Sequence, residues 1–276
     1  MPGDAPLSIL RFEHVVVSFE GTPALTDVSF DVLEGETRII LGAAGSGKTV
    51  LLKTALGLVR PDSGSVYLFG QDITGLREEE LSGIRSKLGM LFQESALFDS
   101  MTIADNVAYP LRNQKAIRVP PAEIPKRVQE ALEFVELGQT LTRFPSELSG
   151  GMRRRAAIAR AVVTEPPLLL YDSPTAGLDP ITAHTIVALI IKERDLSNTT
   201  TLVVTHRYQD GNLVANFRYN PDNGQLVSVW KNGHRSDRHT KFMVLREGSL
   251  VFEGDQTELE ASKDSYVRKF VRPGGG

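Results

Sequence analysis

The sequence contains no cysteine, which excludes disulfides, thiolate nucleophiles, Fe–S clusters and cysteine-based zinc sites. It has no apolar run near the ~18–20 residues that a membrane-spanning helix needs. The longest candidates, residues 168–171 and 186–191, are core-sized. Neither sign of charge dominates: 31 Lys and Arg face 34 Asp and Glu, a formal net charge of −3. A nucleic-acid binder usually shows a basic excess or basic runs, and the one tight run is Arg153-Arg154-Arg155. The first residues carry Asp4 and Pro6 and no long apolar stretch, so no signal peptide is expected. What is present is a chain of 276 residues, 41% hydrophobic and 24% charged. That is ordinary for a globular protein and long enough to bury a core without staples. The expectation is a soluble, intracellular α/β protein with no nucleic-acid partner.

Along the chain, residues 9–19, 28–32, 38–41, 65–69 and 88–92 read as strands, and 20–23 and 34–36 as turns. Residues 94–163 read as mostly helical, interrupted by Pro110, Pro120, Pro121, Pro125 and Pro145, with clear periodicity over 124–135 and 152–163. Strand-like runs return at 168–171 and 201–204, with a helix over 181–194 between them. Such alternation argues for a largely parallel sheet. Residues 217–230 read as a hairpin around Asn220-Pro221-Asp222-Asn223-Gly224, residues 241–252 as another turning at Glu247-Gly248, and 262–271 as a last helix.

Gly42-Ala43-Ala44-Gly45-Ser46-Gly47-Lys48-Thr49 fits G-x-x-x-x-G-K-[ST] between a strand and a helix. Polyphosphate needs many donors at close range. Gly45 and Gly47 let the backbone curl so that successive N–H groups point inward, and the following helix turns its positive end to the same phosphates. Lys48 adds a full charge and Thr49 a hydroxyl suited to Mg²⁺. A Gly-rich turn beside a surface lysine is the bland alternative. A second segment, Leu148-Ser149-Gly150-Gly151-Met152, opens a helix with Ser149 as natural N-cap. Its exposed N–H groups also suit an anion. Alone it could be a simple cap, with Arg153, Arg154 and Arg155 as a solvated face.

Together these segments resemble the ATPase subunits of ABC (ATP-binding cassette) transporters across nearly the whole chain. The intervals fit: Lys48 to Ser149 is 101 residues, Ser149 to Asp172 is 23 and Asp172 to His206 is 34. Gly42 to Thr49 matches the Walker A loop, Gln93 the Q-loop, and Leu148 to Met152 the signature, with Met152 where Gln is usual. Asp172 ends the Walker B match, Asp179 sits in the D-loop match Gly177-Leu178-Asp179, and His206 matches the H-switch. Phe19 stands where the family stacks an aromatic on adenine; a packed strand aromatic is the alternative.

The resemblance implies an α/β fold. A P-loop NTPase (RecA-like) core with a mainly parallel sheet would carry an N-terminal antiparallel β subdomain and an inserted α-helical subdomain. One ATP-binding domain would cover 1–276: core and β subdomain in 1–92 and 164–276, helical subdomain in 93–163, and an extra hairpin insertion at 217–240. It implies ATP and Mg²⁺ as ligands, with Val50 completing the phosphate-binding stretch and Thr49, Gln93 and Asp172 around the metal. It also implies a head-to-tail homodimer in which Ser149, Gly150 and Gly151 of one copy close on the γ-phosphate held by Lys48 of the other. His206 would contact that phosphate and Asp179 would signal across the interface.

One position departs. The family places Glu directly after the Walker B Asp to polarise water; here it is Ser173. Serine is a poor base at neutral pH, and such help is worth roughly 10²–10⁴ in rate. Slow hydrolysis, a carboxylate from elsewhere, or an ATP-binding switch remain open.

Residues 92–112, Met152 and the ending Ser265-Tyr266-Val267-Arg268-Lys269-Phe270 are similar to ATPases of bacterial MCE/Mla-type lipid transport systems. That implies a polytopic membrane permease, an MCE-domain lipid-binding protein, a small regulatory subunit, and a cytoplasmic, peripheral place on the inner face of the cell membrane. Another importer ATPase is the alternative within the class; a cassette acting on DNA or ribosomes is a different class. Leu97, Phe98, Met101 and Tyr109 are expected either to form the permease socket or to pack as core. His234, Asp237 and His239 read as a polar turn, with metal ligation the alternative.

Overall fold

The computed structural model describes residues 8–114, 116–231, 234–235 and 240–271. The chain begins β1 (Ser8–Phe19), β2 (Thr22–Leu33), β3 (Thr37–Leu41), α1 (Lys48–Ala55), β4 (Ser63–Leu68), β5 (Gln71–Asp72), α2 (Glu78–Arg85) and β6 (Leu88–Leu91). Three helices follow, α3 (Ile103–Asn113), α4 (Ile124–Phe134) and α5 (Gly150–Val162). Then come β7 (Leu168–Asp172), α6 (Pro180–Ser197), β8 (Thr200–Thr205) and α7 (Tyr208–Asn216). The last part holds β9 (Phe217–Asn220), β10 (Gln225–Ser228), β11 (Trp230–Lys231), β12 (His234–Arg235), β13 (Thr240–Arg246), β14 (Ser249–Gly254), α8 (Gln256–Ala261) and α9 (Val267–Val271).

A six-stranded sheet runs in the order β14-β13-β3-β8-β7-β6, parallel except for the β13–β14 hairpin. β3 and β7 are buried along their whole length, and their apolar parts, Ile39-Ile40-Leu41 and Leu168-Leu169-Leu170-Tyr171, are continuous rather than alternating. The period of two sorts their side chains between two cores. Ile39, Leu169, Tyr171, Val203 and Phe242 pack with residues of α3 to α6, while Ile40, Leu168, Leu170, Leu202 and Met243 pack with α1 and a second sheet. That second sheet is antiparallel, in the order β2-β1-β4-β5.

Several sequence expectations need correction. Only Glu20 and Gly21 turn between β1 and β2, both at positive φ, while Pro23 pairs with Ser18 inside the ladder. Proline is tolerated there because β2 is an edge strand. Pro110 does not interrupt α3; buried Ile103, Val107 and Leu111 hold the helix on both sides of the missing N–H. The expected helix over 262–271 shortens to α9, Val267–Val271: α8 has already ended at Ala261, and Asp264 caps α9 by accepting from the Tyr266 and Val267 amides. The hairpins read at 217–230 and 241–252 form over 217–228 and 240–254. Phe217 and Tyr219 pack against the core beside α6. The side chains of Trp230 and His234, and all of Asp237 and His239, lie outside what the structure describes, and with them the conceivable metal trio.

Candidate functional site

The C-terminal ends of β3, β6, β7 and β8 finish at one level, because Leu41 pairs with Thr205, Asp172 with Val204 and Leu91 with Tyr171. The turns leaving those ends carry the predicted residues. In open α/β sheets ligands bind outside such strand ends.

Residues 42–47 curl between β3 and α1. Gly45 (φ 75°) and Gly47 (φ 101°) take the left-handed conformation the motif requires. Space is equally restrictive: a Cβ on Gly42 would lie 2.3 Å from Ser46 Oγ, and one on Gly47 2.5 Å from the Ala24 carbonyl. Ala43, Ala44 and Gly45 are exposed, whereas Ser46 and Lys48 are buried. Lys48 Nζ donates to the carbonyls of Gly42 (2.8 Å) and Ala43 (2.7 Å), so its charge lies in the bowl of the loop. Burial pulls its ammonium below the ordinary lysine range, and the Asp172 carboxylate pulls it back up. No side chain caps α1, so its first N–H groups are available to an anion, with half-buried Val50 just beyond.

Asp172, the last residue of β7, is 3% exposed. Its Oδ2 accepts from the Thr49 hydroxyl at 2.9 Å and its Oδ1 from Ser173 Oγ at 3.1 Å. A hydroxyl and a carboxylate so close are hard oxygen donors of the kind that hold Mg²⁺ together with phosphates and waters. Ser173 is 8% exposed, has φ 48°, and anchors its N–H on the Val204 carbonyl. Its hydroxyl is thus committed to Asp172.

Ser149 is the N-cap of α5, its Oγ accepting from the Met152 amide at 3.3 Å. Gly150 and Gly151 open the helix behind it; a Cβ on Gly151 would meet Thr182 Cγ2 at 2.5 Å. Of the three arginines Arg153 is exposed, as a solvated face requires, Arg155 is half-buried and Arg154 is buried. Arg153 donates to the Leu148 carbonyl and Arg155 to that of Val135. Arg154 is buried, on the carbonyls of Phe92, Gln93 and Ala176. Arginine can pack its stem and still place its guanidinium on main-chain oxygen in this way.

Gln93 is exposed on the turn after β6 and His206 on the turn after β8. Asp179 caps α6 by accepting from the Ile181 and Thr182 amides, each at 3.0 Å; the Thr182 side chain first, and then these amides, hold its carboxyl below the usual range. Phe19 is 49% exposed at the end of β1, so it is not a packed strand aromatic. Phe98 (39% exposed) and Tyr109 (36%) pack ring on tilted ring with centroids 4.6 Å apart, with Leu97 and Met101 half-buried nearby in sequence. Core packing therefore does not account for that pair.

Sequence reasoning missed Asp210. It is 2% exposed on α7 and accepts from the hydroxyls of Thr175 and Thr205, beside His206. Burial raises its carboxyl above the usual range. A polar residue in a short amphipathic helix gives no signal of this kind. Among the described residues no cluster of three His, Asp or Glu could hold a metal ion by itself, and no helix is long and apolar enough to cross a membrane.

Residues 25–176 match the family model described as ABC transporter. The probable ribonucleotide transport ATP-binding protein mkl of Mycobacterium leprae is 39% identical over 270 residues, 98% of this chain and 70% of that protein. The methionine import ATP-binding protein MetN of Rhizobium etli is 38% identical over 232 residues, 83% of this chain and 63% of that one. The chain thus spans about two thirds of the length of these relatives. Among solved structures, a dimeric post-hydrolysis state of the ATP-binding cassette MJ0796 bound to ADP and Pi is similar. Its TM-score is 0.73 and its identity 28%, over 89% of this chain and 98% of the other.

Proposed function

This chain belongs to the ABC transporter family, and we propose that it is the ATP-binding and hydrolysing subunit that drives a separate membrane permease. The observation that carries the reading is the convergence of Lys48, Thr49 and Asp172 on one bowl, with Gln93 and His206 on adjoining turns. Gly45, Ser46, Gly47, Lys48, Thr49 and Val50 would hold the phosphates by backbone N–H and ammonium. Exposed Phe19 would stack on the base. Thr49, Gln93 and Asp172 would hold Mg²⁺, which when bound neutralises the phosphate oxygens. Ser149, Gly150 and Gly151 of a second copy would cover the γ-phosphate, making ATP the glue of a head-to-tail homodimer. That the similar cassette MJ0796 is dimeric supports a dimer here.

In this reading residues 93–163 form the helical subdomain, 1–92 and 164–276 the remainder, and 217–240 an insertion. Phe98 and Tyr109 receive the permease, placing the chain at the cytoplasmic side of the membrane. The cargo is a phospholipid or other lipid, a reading supported by the MCE/Mla-like stretch 92–112, with an MCE-domain protein and a small regulatory subunit as further partners. A weakly hydrolytic switch is the second reading. It is favoured by Ser173, whose hydroxyl is bonded to Asp172 and which offers no carboxylate.

The test is phosphate release by the purified protein, alone and with its permease, beside Lys48→Ala and Ser173→Glu. Slow release that Lys48→Ala abolishes supports the enzyme. Release absent from the native protein but present in Ser173→Glu supports the switch. Release unaffected by Lys48→Ala refutes both.

A further inference from the structure

The turn after β7 runs from Ser173 to Gly177, and two buried charges hold adjacent residues of it. Arg154, on α5, is 6% exposed and donates to the Ala176 carbonyl at 3.3 Å. The same guanidinium donates to the carbonyls of Phe92 (3.0 Å) and Gln93 on the turn after β6. Asp210, on α7, accepts from the Thr175 hydroxyl and, at 3.2 Å, from the Thr205 hydroxyl that precedes His206. The Thr205 hydroxyl also accepts from the Arg207 amide at 3.0 Å, closing the turn around His206.

The chemistry suits coupling rather than mere filling. A guanidinium presents a planar fork of donors, so one side chain can fix carbonyls from separate segments at defined angles. Burial lowers the Arg154 guanidinium from its ordinary range, with only the Asp172 charge acting against it, and its buried Nε has no hydrogen-bond partner. Keeping such a cation in the interior costs stability, and its visible return is the relative placement of three backbone segments. Ser173 lies inside the held turn and supplies no base. Under the proposed function, the geometry around an attacking water then depends on Gln93 and His206, the two turns that this network reaches.

We propose that Arg154 and Asp210 are positioning residues that make the Gln93 turn, the Ser173–Gly177 turn and the His206 turn move as one body. The proposal deepens the ATPase reading and rests on it for its functional meaning, but its mechanical content is testable without nucleotide.

Amide hydrogen exchange of the full chain supplies the test. The reporters are Ser95, Ala176, Leu178 and Arg207, whose amides bond Phe92 O, Ser173 O, Thr175 O and Thr205 Oγ1. The control is Leu51, whose amide bonds Gly47 O in α1. In Arg154→Met, exchange at all four reporters should rise together by roughly tenfold or more while Leu51 is unchanged. Asp210→Ala should give the same joint rise, and Arg154→Lys a smaller one. If Arg154→Met does not fold, the Arg154→Lys and Asp210→Ala patterns decide. A rise confined to Ser95 and Ala176 with Arg207 unmoved overturns the proposal, as does an equal rise at Leu51. Adding Mg-ATP to the native protein separates the two readings. Failure to protect residues 45–50 sinks the nucleotide site, whereas the nucleotide-free pattern still decides the coupling.

Discussion

The Thr49 hydroxyl donates to Asp172 Oδ2 at 2.9 Å, joining the first turn of α1 to the end of β7. The two residues are 123 positions apart in sequence and meet because their strands lie in one parallel sheet, separated only by β8. Asp172→Ala should therefore remove the Mg²⁺-dependent part of ATP binding and leave the Mg²⁺-independent part. Titration with a fluorescent ATP analogue, with and without Mg²⁺, checks this. Equal Mg²⁺ dependence in both proteins would refute the assignment.

Lys48→Ala removes a buried ammonium that lines the bowl. A hydrogen bond to a charged group is worth about 1.5–3 kcal/mol, so ATP affinity should fall roughly 10- to 150-fold. Calorimetric titration reads the loss directly.

Ser173→Glu restores a carboxylate beside Asp172. Turnover should rise by roughly 10²–10⁴-fold, measured as phosphate release per site. A rise of less than about tenfold would mean that Ser173 is not what limits the native rate.

Gly151→Ala should destabilise by about 1–3 kcal/mol, since the new methyl lands 2.5 Å from Thr182 Cγ2. Thr182→Ser deletes that Cγ2 and should restore most of the loss. A double-mutant cycle in denaturant measures the coupling.

Glu193 gives a pH signature. It is 6% exposed, and burial raises its carboxyl above the ordinary value of 4.5. A raised acid binds its proton more tightly in the folded state. Its stabilising contribution is therefore full below that ordinary value and lost as pH rises through the raised one. Glu193→Gln should raise Tm at neutral pH, with the gain vanishing below about pH 4.5. Thermal melts across pH test the sign.

Much of the site is visible in sequence because its constraints are local. Gly45 and Gly47 are required by backbone φ, Ser149 and Asp179 cap the helices they precede, and Asp172 ends a fully apolar strand. The rest depends on residues brought together by topology. Nothing in Arg153-Arg154-Arg155 distinguishes the buried middle residue from its neighbours, because burial depends on where α5 meets the turns after β6 and β7. Asp210 is hidden for the same reason: its partners Thr175 and Thr205 come from two other strand ends. Pro110 and Pro23 misled in the other direction. Proline signals a break only where packing or an edge position does not absorb it.

The central claim is that ATP is held between the Lys48 loop of one copy and the Ser149 helix start of another. Sedimentation of the purified protein with and without Mg-ATP tests it most directly. The account predicts a particle of one 30.3 kDa chain without nucleotide and twice that mass with Mg-ATP. The heavier particle should persist because Ser173 slows its dissolution by hydrolysis, and both Lys48→Ala and Ser149→Arg should abolish it. A mass indifferent to ATP, or an ATP-dependent dimer that survives both substitutions, would contradict it.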